Sequence, residues 1–385
     1  MKTSVFLLFV YAATYEYWLD VGIANMRTSS MIAVIYILSR FRETLDILKV
    51  EANVFIVYIY IILAIVINDL YIQADTTDIL KSIFFHIISL INFIFFFSLF
   101  SKNDSNFPKF FLFLGFALII YKSDEFFFTW SRILEESYFQ ARISQSIFYL
   151  VIAWSFFLMH KSRILLSHVV LISAFLLFLN TGTRSYAFIL FMVIIMSYFT
   201  SYTKIKFTSL LAVILFFISF IIFGSLLFKP EIIKEIIIAR LFTFSSLMHF
   251  FNTFPFGIGS GGVVNLYPYS LTLSNFFGFN LDFGIRALTR MNYTTAHSFV
   301  VGALFKHGLL TLLPILYFLI NIFNLNIKMI SNKEVSNEQR LISICIITYL
   351  GYAIFFSGYT IFLIEFPMYY ALTRSMYKRI GAIKL

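Results

Sequence analysis

Charge is scarce in this chain of 385 residues, at 12% of positions against about 25% in soluble globular proteins. With 60% hydrophobic residues and 52 Phe, that scarcity excludes an ordinary water-soluble domain and points to a polytopic membrane protein. Cysteine is all but absent. The single Cys345 sits in the apolar run ISICIITYLGYAIFF, so no intrachain disulfide and no thiolate zinc site can form. Also missing are low-complexity tracts, internal repeats and any stretch polar enough to be a separate soluble domain. The net charge of +10 does not mark a nucleic-acid binder, because the basic residues fall in short clusters between apolar segments, the pattern of topology signals.

Apolar stretches long enough, or nearly so, to cross a hydrocarbon core of about 30 Å recur near 3–19, 26–40, 53–72, 79–100, 107–121, 144–160, 163–180, 184–201, 207–228, 297–325, 341–359 and 361–377. They predict an all-α integral membrane protein with about twelve transmembrane helices. The start, MKTSVFLLFVYAATYEYWLD, has a basic residue before an apolar core but no small-x-small cleavage site, so it reads as the first span. The domain division follows: helices one to nine over 1–228, a large outer loop over 229–296, and helices ten to twelve over 297–385.

Lys and Arg positions set the orientation, since short cytoplasmic loops carry the excess. With both termini inside, the inner side collects Arg40, Arg42, Lys49, Lys161, Arg163, Lys328, Lys333, Arg340, Arg374, Lys378 and Arg379, among others. The outer side has fewer, yet Arg184, Lys229, Lys234, Arg240, Arg286 and Arg290 cluster there. Snorkelling to the interface accounts for one such residue better than for a group.

The outer segment KSDEFFFTWSRILEESYFQAR (122–142) reads as an interfacial helix. Its carboxylate pairs Asp124–Glu125 and Glu135–Glu136 point about 100° apart on a helix, which favours a solvated face over a metal site.

Arg184 lies in LNTGTRSYAF at an outer turn, and its planar fork matches phosphate oxygens. Residues 257–262, GIGSGG, satisfy G-x-G-x-x-G, and Asp282 follows at a suitable distance. The surrounding βαβ unit that a dinucleotide fingerprint requires is missing from the pattern. The glycines read first as a sharp turn after Pro255, with an N–H nest for an anion as the second reading. His297, in NYTTAHSF, follows Thr294 and Thr295, natural N-caps that would put it in the first helical turn. There the helix dipole and nearby Arg286 and Arg290 favour the neutral imidazole of a general base. His86, His160 and His168 read as structural. Lys306 and Glu365 are the main mid-span charges, the feature a transporter would need.

Thr181-Gly182-Thr183-Arg184, then Arg240, then Phe254-Pro255-Phe256-Gly257-Ile258-Gly259, then His297 with Gly308-Leu309-Leu310 form an order that resembles the O-antigen polymerase and O-antigen ligase family. The resemblance covers the C-terminal half. Two departures stand out: Ser298 where the family has Asn, and Lys306-His307 where an acidic residue often precedes Gly-Leu-Leu. The resemblance implies a GT-C-like membrane glycosyltransferase of the bacterial inner membrane, active on undecaprenyl-diphosphate-linked oligosaccharide at the outer, periplasmic face. It implies Arg184, Arg240 and Arg290 on the diphosphate, His297 as the base for the acceptor hydroxyl, no metal or other cofactor, membrane lipid as surroundings and a chain-length regulator as a partner. A lipid-linked oligosaccharide flippase is the competing class.

If Arg184 and Arg240 act as phosphate forks, Arg→Lys keeps the charge and loses the bidentate geometry. Each Lys variant is expected to insert normally and lose most transfer activity in a membrane assay; full activity in both removes the diphosphate clamp.

Overall fold

A computed structural model describes residues 18–20, 25–101, 109, 112, 116, 141–180, 184–202, 243–277, 298–332, 334–356 and 364–383. The expected span at 207–228, most of those at 3–19 and 107–121, and nearly all of the interfacial segment with its two carboxylate pairs lie outside them. Apart from one two-stranded antiparallel ribbon, β1 (Trp18–Asp20) with β2 (Asn25–Arg27), the described elements are helices. The ribbon occupies the end of the first expected span and the start of the second, and among the described residues the first helix begins at Thr28.

The helices are α1 (Thr28–Ser39), α2 (Phe41–Val50), α3 (Ala52–Tyr71), α4 (Thr76–Phe100), α5 (Ala141–His160), α6 (Ile164–Asn180), α7 (Arg184–Tyr202), α8 at 243–253, α9 (Tyr267–Phe277), α10 (Phe299–Ser331), α11 (Asn337–Phe356) and α12 (Glu365–Ile383). Among the described residues α3, α4 and α10 are long and apolar enough to cross a membrane, and shorter apolar helices lie at 29–39, 147–160, 164–178 and 186–198. The chain is a helical protein with membrane-spanning character. The segment 229–296, expected as a large outer loop, is itself partly helical through α8 and α9.

Local chemistry sets the helix ends. Asp75 caps α4 by accepting from the Thr77 N–H at 2.7 Å, which satisfies one orphan donor of the first turn. Pro367, in the first turn of α12, removes an N–H that has no helical partner there. α10 starts at Phe299, capped by Ser298, whose hydroxyl accepts from the Val301 N–H at 3.3 Å and donates to the Ile354 carbonyl of α11 at 2.6 Å. This corrects the expected cap at Thr294 or Thr295. Three hydroxyls in Thr-Thr-Ala-His-Ser could cap the helix, and the carbonyl on α11 selects the last.

Two packed groups make the bundle. α1, α3, α4, α10 and α12 form one, α5, α6, α7 and α11 the other, and α11 joins them by packing on α10, α5 and α7. In the first group the rings of Tyr58, Phe93, Phe318 and Tyr370 meet at centroid distances of 5.1–5.5 Å. Polar bonds cross the interfaces, including Tyr58 with Ser89 at 2.9 Å, Tyr36 with Ser98 at 3.1 Å and Asn326 Nδ2 to Thr373 at 2.9 Å. Each such bond adds roughly 0.6 kcal/mol in a membrane bundle, so they set register more than overall stability.

The two ends differ in charge. At one end Glu51, 2% exposed, accepts from Arg374 Nε at 2.9 Å and Nη2 at 2.7 Å and pairs with Lys378 at 2.5 Å, while Arg379 donates to the Phe100 carbonyl at 2.8 Å. His160 and Glu338, 3.0 Å apart, belong to the same end, where α5 stops and α11 starts. The basic clusters assigned to one side from sequence, Arg40, Lys161, Arg340 and Arg374 to Arg379, thus share one end of the bundle. The starts of α10, α12 and α4 and the stops of α3 and α11 share the other.

Removing the Glu51 carboxylate strands two cations. Glu51→Ala should cost on the order of 3 kcal/mol, the low end for a buried pair because both cations reach solvent. A thermal-unfolding midpoint in detergent equal to wild type would show that the cluster stabilises nothing.

Candidate functional site

α10 is not continuous. Gly308 has φ 74° and ψ −174°, a conformation open to glycine and strained for other residues, and the two halves of the helix meet there at an angle. A break inside a membrane-length helix frees backbone groups that lipid cannot satisfy. The glycine-rich stretch 254–262 satisfies them.

Ile258 N–H donates to the Phe305 carbonyl at 2.9 Å, Gly259 N–H to the Lys306 carbonyl at 2.9 Å, and Leu309 N–H to the Pro255 carbonyl at 2.9 Å. In an unbroken helix the Phe305 carbonyl would take the Leu309 N–H; here both find partners in the loop. The approach is close enough to exclude a side chain. A Cβ on Gly257 would lie 2.6 Å from the Lys306 backbone, and one on Gly308 would lie 2.7 Å from the Pro255 carbonyl oxygen.

The same loop is fixed to α3. Gly257 N–H donates to Asn68 Oδ1 at 3.3 Å and Ser260 N–H to Asp69 Oδ1 at 3.1 Å, with a short bond from the Ser260 hydroxyl to Asp69 Oδ2. These bonds correct the reading of the loop as a nest for an external anion. Four consecutive N–H groups, from Gly257 to Ser260, already have acceptors within the protein: Asn68 Oδ1, the Phe305 and Lys306 carbonyls and, for Ser260 alone, the buried carboxylate of Asp69. Turn chemistry, the first reading of these glycines, agrees with the geometry.

Around the break lies a polar cluster inside an apolar bundle. Asn68, Asp69, His86 and His307 are buried, the rings of His86 and His307 meet edge to face at 5.9 Å, and Lys306 lies within electrostatic reach of Asp69 and Asp78. His86 Nδ1 bonds the Ser82 carbonyl of its own helix at 2.8 Å and His168 Nδ1 bonds that of Ile164 at 2.9 Å, the structural use expected for both. His160 is largely exposed and meets Glu338. Buried charges cost several kcal/mol unless paired, and the electrostatic influence of Asp69 and Asp78 favours the charged form of Lys306 where α10, α3 and α4 meet.

Of the residues singled out from sequence, His297, Arg240 and Arg290 lie outside the described residues. α7 begins at Arg184, and its backbone alone is described there. Two residues on, the Tyr186 ring packs on Phe148 and Phe178 and interacts with Glu365 and Tyr352, which puts the start of α7 at the same end as the start of α12 and the stop of α11. That is also the end where the loop meets α10. α10 begins at Phe299 with its cap at Ser298, later than the start on which the dipole argument for a neutral His297 imidazole rested.

Sequence reasoning missed Asn68, Asp69, His249 and Tyr269. A signal existed for the first two: Asn68 and Asp69 are the only polar residues in the otherwise apolar α3 segment ANVFIVYIYIILAIVINDLY apart from Asn53 and its tyrosines. The readings of Lys306, as a mid-span charge and as a departure from the family pattern, also flagged a position within electrostatic reach of Asp69. Among the described residues no group of three or more His, Cys, Asp or Glu could hold a metal ion. Compared with models of known families and with curated proteins, the chain gives no match to either.

The break depends on Gly308. Alanine at φ 74° costs on the order of 1–3 kcal/mol, before the clash with Pro255 is counted. Gly308→Ala is therefore expected to lower the thermal midpoint and to expose 254–262 to protease; an unchanged midpoint with an unchanged cleavage pattern would show that the loop does not hold the break.

Proposed function

We propose that this chain is an integral-membrane glycosyltransferase of about twelve spans and GT-C-like architecture. It moves a glycan from a polyprenyl-diphosphate-linked donor to a sugar hydroxyl at the outer face of a bacterial inner membrane, with both termini cytoplasmic. The observation that carries this reading is the bonding of two distant segments that the family resemblance picks out: Pro255 to Gly259 pairs backbone to backbone with Phe305 to Leu309, at the end of the bundle where α7 begins with Arg184.

The chemistry is a displacement at the anomeric carbon. The acceptor oxygen bonds to that carbon, the bond to the diphosphate oxygen breaks, and the polyprenyl diphosphate leaves with the electron pair. Arg184, Arg240 and Arg290 meet the charge that develops on the leaving group, an electrostatic contribution that is large in a water-poor site. His297 takes the acceptor proton. In this reading the acceptor arrives from water, while the donor approaches from the lipid.

Within this class we favour the polymerase, whose acceptor is the next lipid-linked repeat unit, over the ligase, whose acceptor is lipid A core. One observation supports a second reading as a lipid-linked oligosaccharide flippase: a discontinuous helix beside buried ionisable residues is also how transporters build midplane sites. Against it, Asp69 is bonded to the backbone and hydroxyl of Ser260 and His86 to the Ser82 carbonyl.

Positioned general bases contribute about 10²–10⁴-fold. In a transfer assay with a polyprenyl diphosphate donor, His297→Ala is expected to lose rate by that order while donor binding survives. Wild-type turnover in this variant, or equal loss of binding and rate, would make His297 structural. Deleting the gene separates the classes on a lipopolysaccharide gel: single repeat units still on core mean polymerase, and loss of all attached glycan means ligase or flippase.

A further inference from the structure

The outer segment holds a polar group that the leaving-group and base chemistry does not use. His249, on α8, bonds through Nδ1 to the Tyr269 hydroxyl of α9 at 3.1 Å, and Asn252 Nδ2 donates to the same oxygen at 3.3 Å. His249 and Asn252 are three residues apart and so lie on one face of α8. The imidazole stands edge to face against Tyr269 at 5.4 Å and against the fully buried Phe305 at 5.8 Å. Phe305 is the residue whose carbonyl takes the Ile258 N–H at the break in α10. A buried bond between Ser245 and Ser270 at 2.9 Å clamps α8 to α9, so the group is held on three elements beside the loop. His249 and Tyr269 remain partly exposed and Asn252 is exposed. A histidine gripped this firmly, yet open on one side, is preorganised to meet something from solvent.

We infer that His249 and Asn252 form a subsite for neighbouring hydroxyls of one sugar ring on the acceptor glycan. The inference rests on the transferase reading and names the acceptor side of that site. Asn252 Nδ2 donates a hydrogen bond to the Tyr269 oxygen, and in the tautomer this subsite uses the Tyr269 hydroxyl donates to His249 Nδ1. The imidazole then keeps its proton on Nε2, the side turned away from Tyr269, as a donor. Asn252 keeps Oδ1 as an acceptor. Donor and acceptor stand on adjacent turns, with Cβ atoms about 5–6 Å apart, a spacing that suits two hydroxyls of one ring, each able both to give and to accept. Burial holds the His249 imidazole below its ordinary range, so the group is uncharged at neutral pH. A neutral donor and acceptor beside an aromatic ring suits a sugar rather than a phosphate, which is left to the arginines. This is a binding and positioning role, distinct from proton transfer by His297.

The test uses the full-length protein in detergent or liposomes, a polyprenyl-diphosphate-linked donor, and a lipid-linked acceptor with matching deoxy analogues. Asn approximates the Nδ1 side of histidine, so His249→Asn keeps the Tyr269 contact and loses the Nε2 donor; Asn252→Ala alters an exposed residue and leaves the fold intact. One hydrogen bond corresponds to about a 2–13-fold change. Each variant is expected to raise acceptor KM by that factor, with donor KM and kcat within about twofold. One deoxy acceptor should cost wild type the same factor and cost His249→Asn nothing further. A purely structural histidine would lower stability and kcat together and leave the ranking of deoxy acceptors unchanged. Wild-type acceptor KM in both variants, or equal losses on every deoxy acceptor, overturns the subsite while the transferase reading stands. Absence of any transfer by the wild-type protein overturns both.

Discussion

The structure depends on how a broken helix inside an apolar bundle satisfies its backbone. Once α10 turns at Gly308, the Phe305 and Lys306 carbonyls and the Leu309 N–H need partners that lipid cannot supply. The loop 254–262 supplies them at 2.9 Å, and it can do so only because Gly257 and Gly308 carry no side chain where the two backbones meet. That contact fixes more than the loop. Through Asn68 and Asp69 it holds the stop of α3, and through Phe305 it reaches His249 on α8.

Charge is then distributed around this contact. At the loop end, the Asp69 carboxylate is held by Ser260, and Lys306 stands within reach of both Asp69 and Asp78. At the opposite end Glu51 binds Arg374 and Lys378 directly. Both arrangements follow from the same cost: an ionised group removed from water needs a partner of opposite sign or several donors. They differ in consequence. The Glu51 cluster ties α12 to the α2–α3 junction among loops that carry the basic topology signals, whereas the Asp69 cluster supports the end where the loop 254–262 meets α10.

That difference bears on chemistry. A glycine-rich loop invites comparison with phosphate cradles, yet its N–H groups are taken by the Asn68 amide oxygen, two backbone carbonyls of α10 and the Asp69 carboxylate. Under the transferase reading, the diphosphate is therefore left to guanidinium groups and the loop acts as scaffold. The broken α10 would give the site its rigidity, and Ser298, bonded across to Ile354, would fix where the chain carrying His297 meets the bundle. Serine is a strong N-cap, and Ser298 both caps α10 and ties it to α11.

Composition and periodicity are local properties, and what they determine was legible without coordinates: the helical class, the membrane-length segments at α3, α4 and α10, the grouping of Arg40, Lys161, Arg340 and Arg374 at one end, and the backbone-bound histidines His86 and His168. Pairings between distant segments were not. A Gly-x-Gly sequence reads the same whether its N–H groups bind a ligand phosphate, Asp69 or the carbonyls of a broken helix, because the acceptor lies in another part of the chain. Thr294, Thr295 and Ser298 are equivalent caps until Ile354 selects one, and Lys306 is only a charge in a span until Asp69 and Asp78 are brought beside it. His249 gave no signal at all, since its meaning comes from Tyr269 and Phe305, 20 and 56 residues away in sequence. Tertiary structure decided these points because each depends on which long-range acceptor is near enough to bond, and no local pattern encodes that distance.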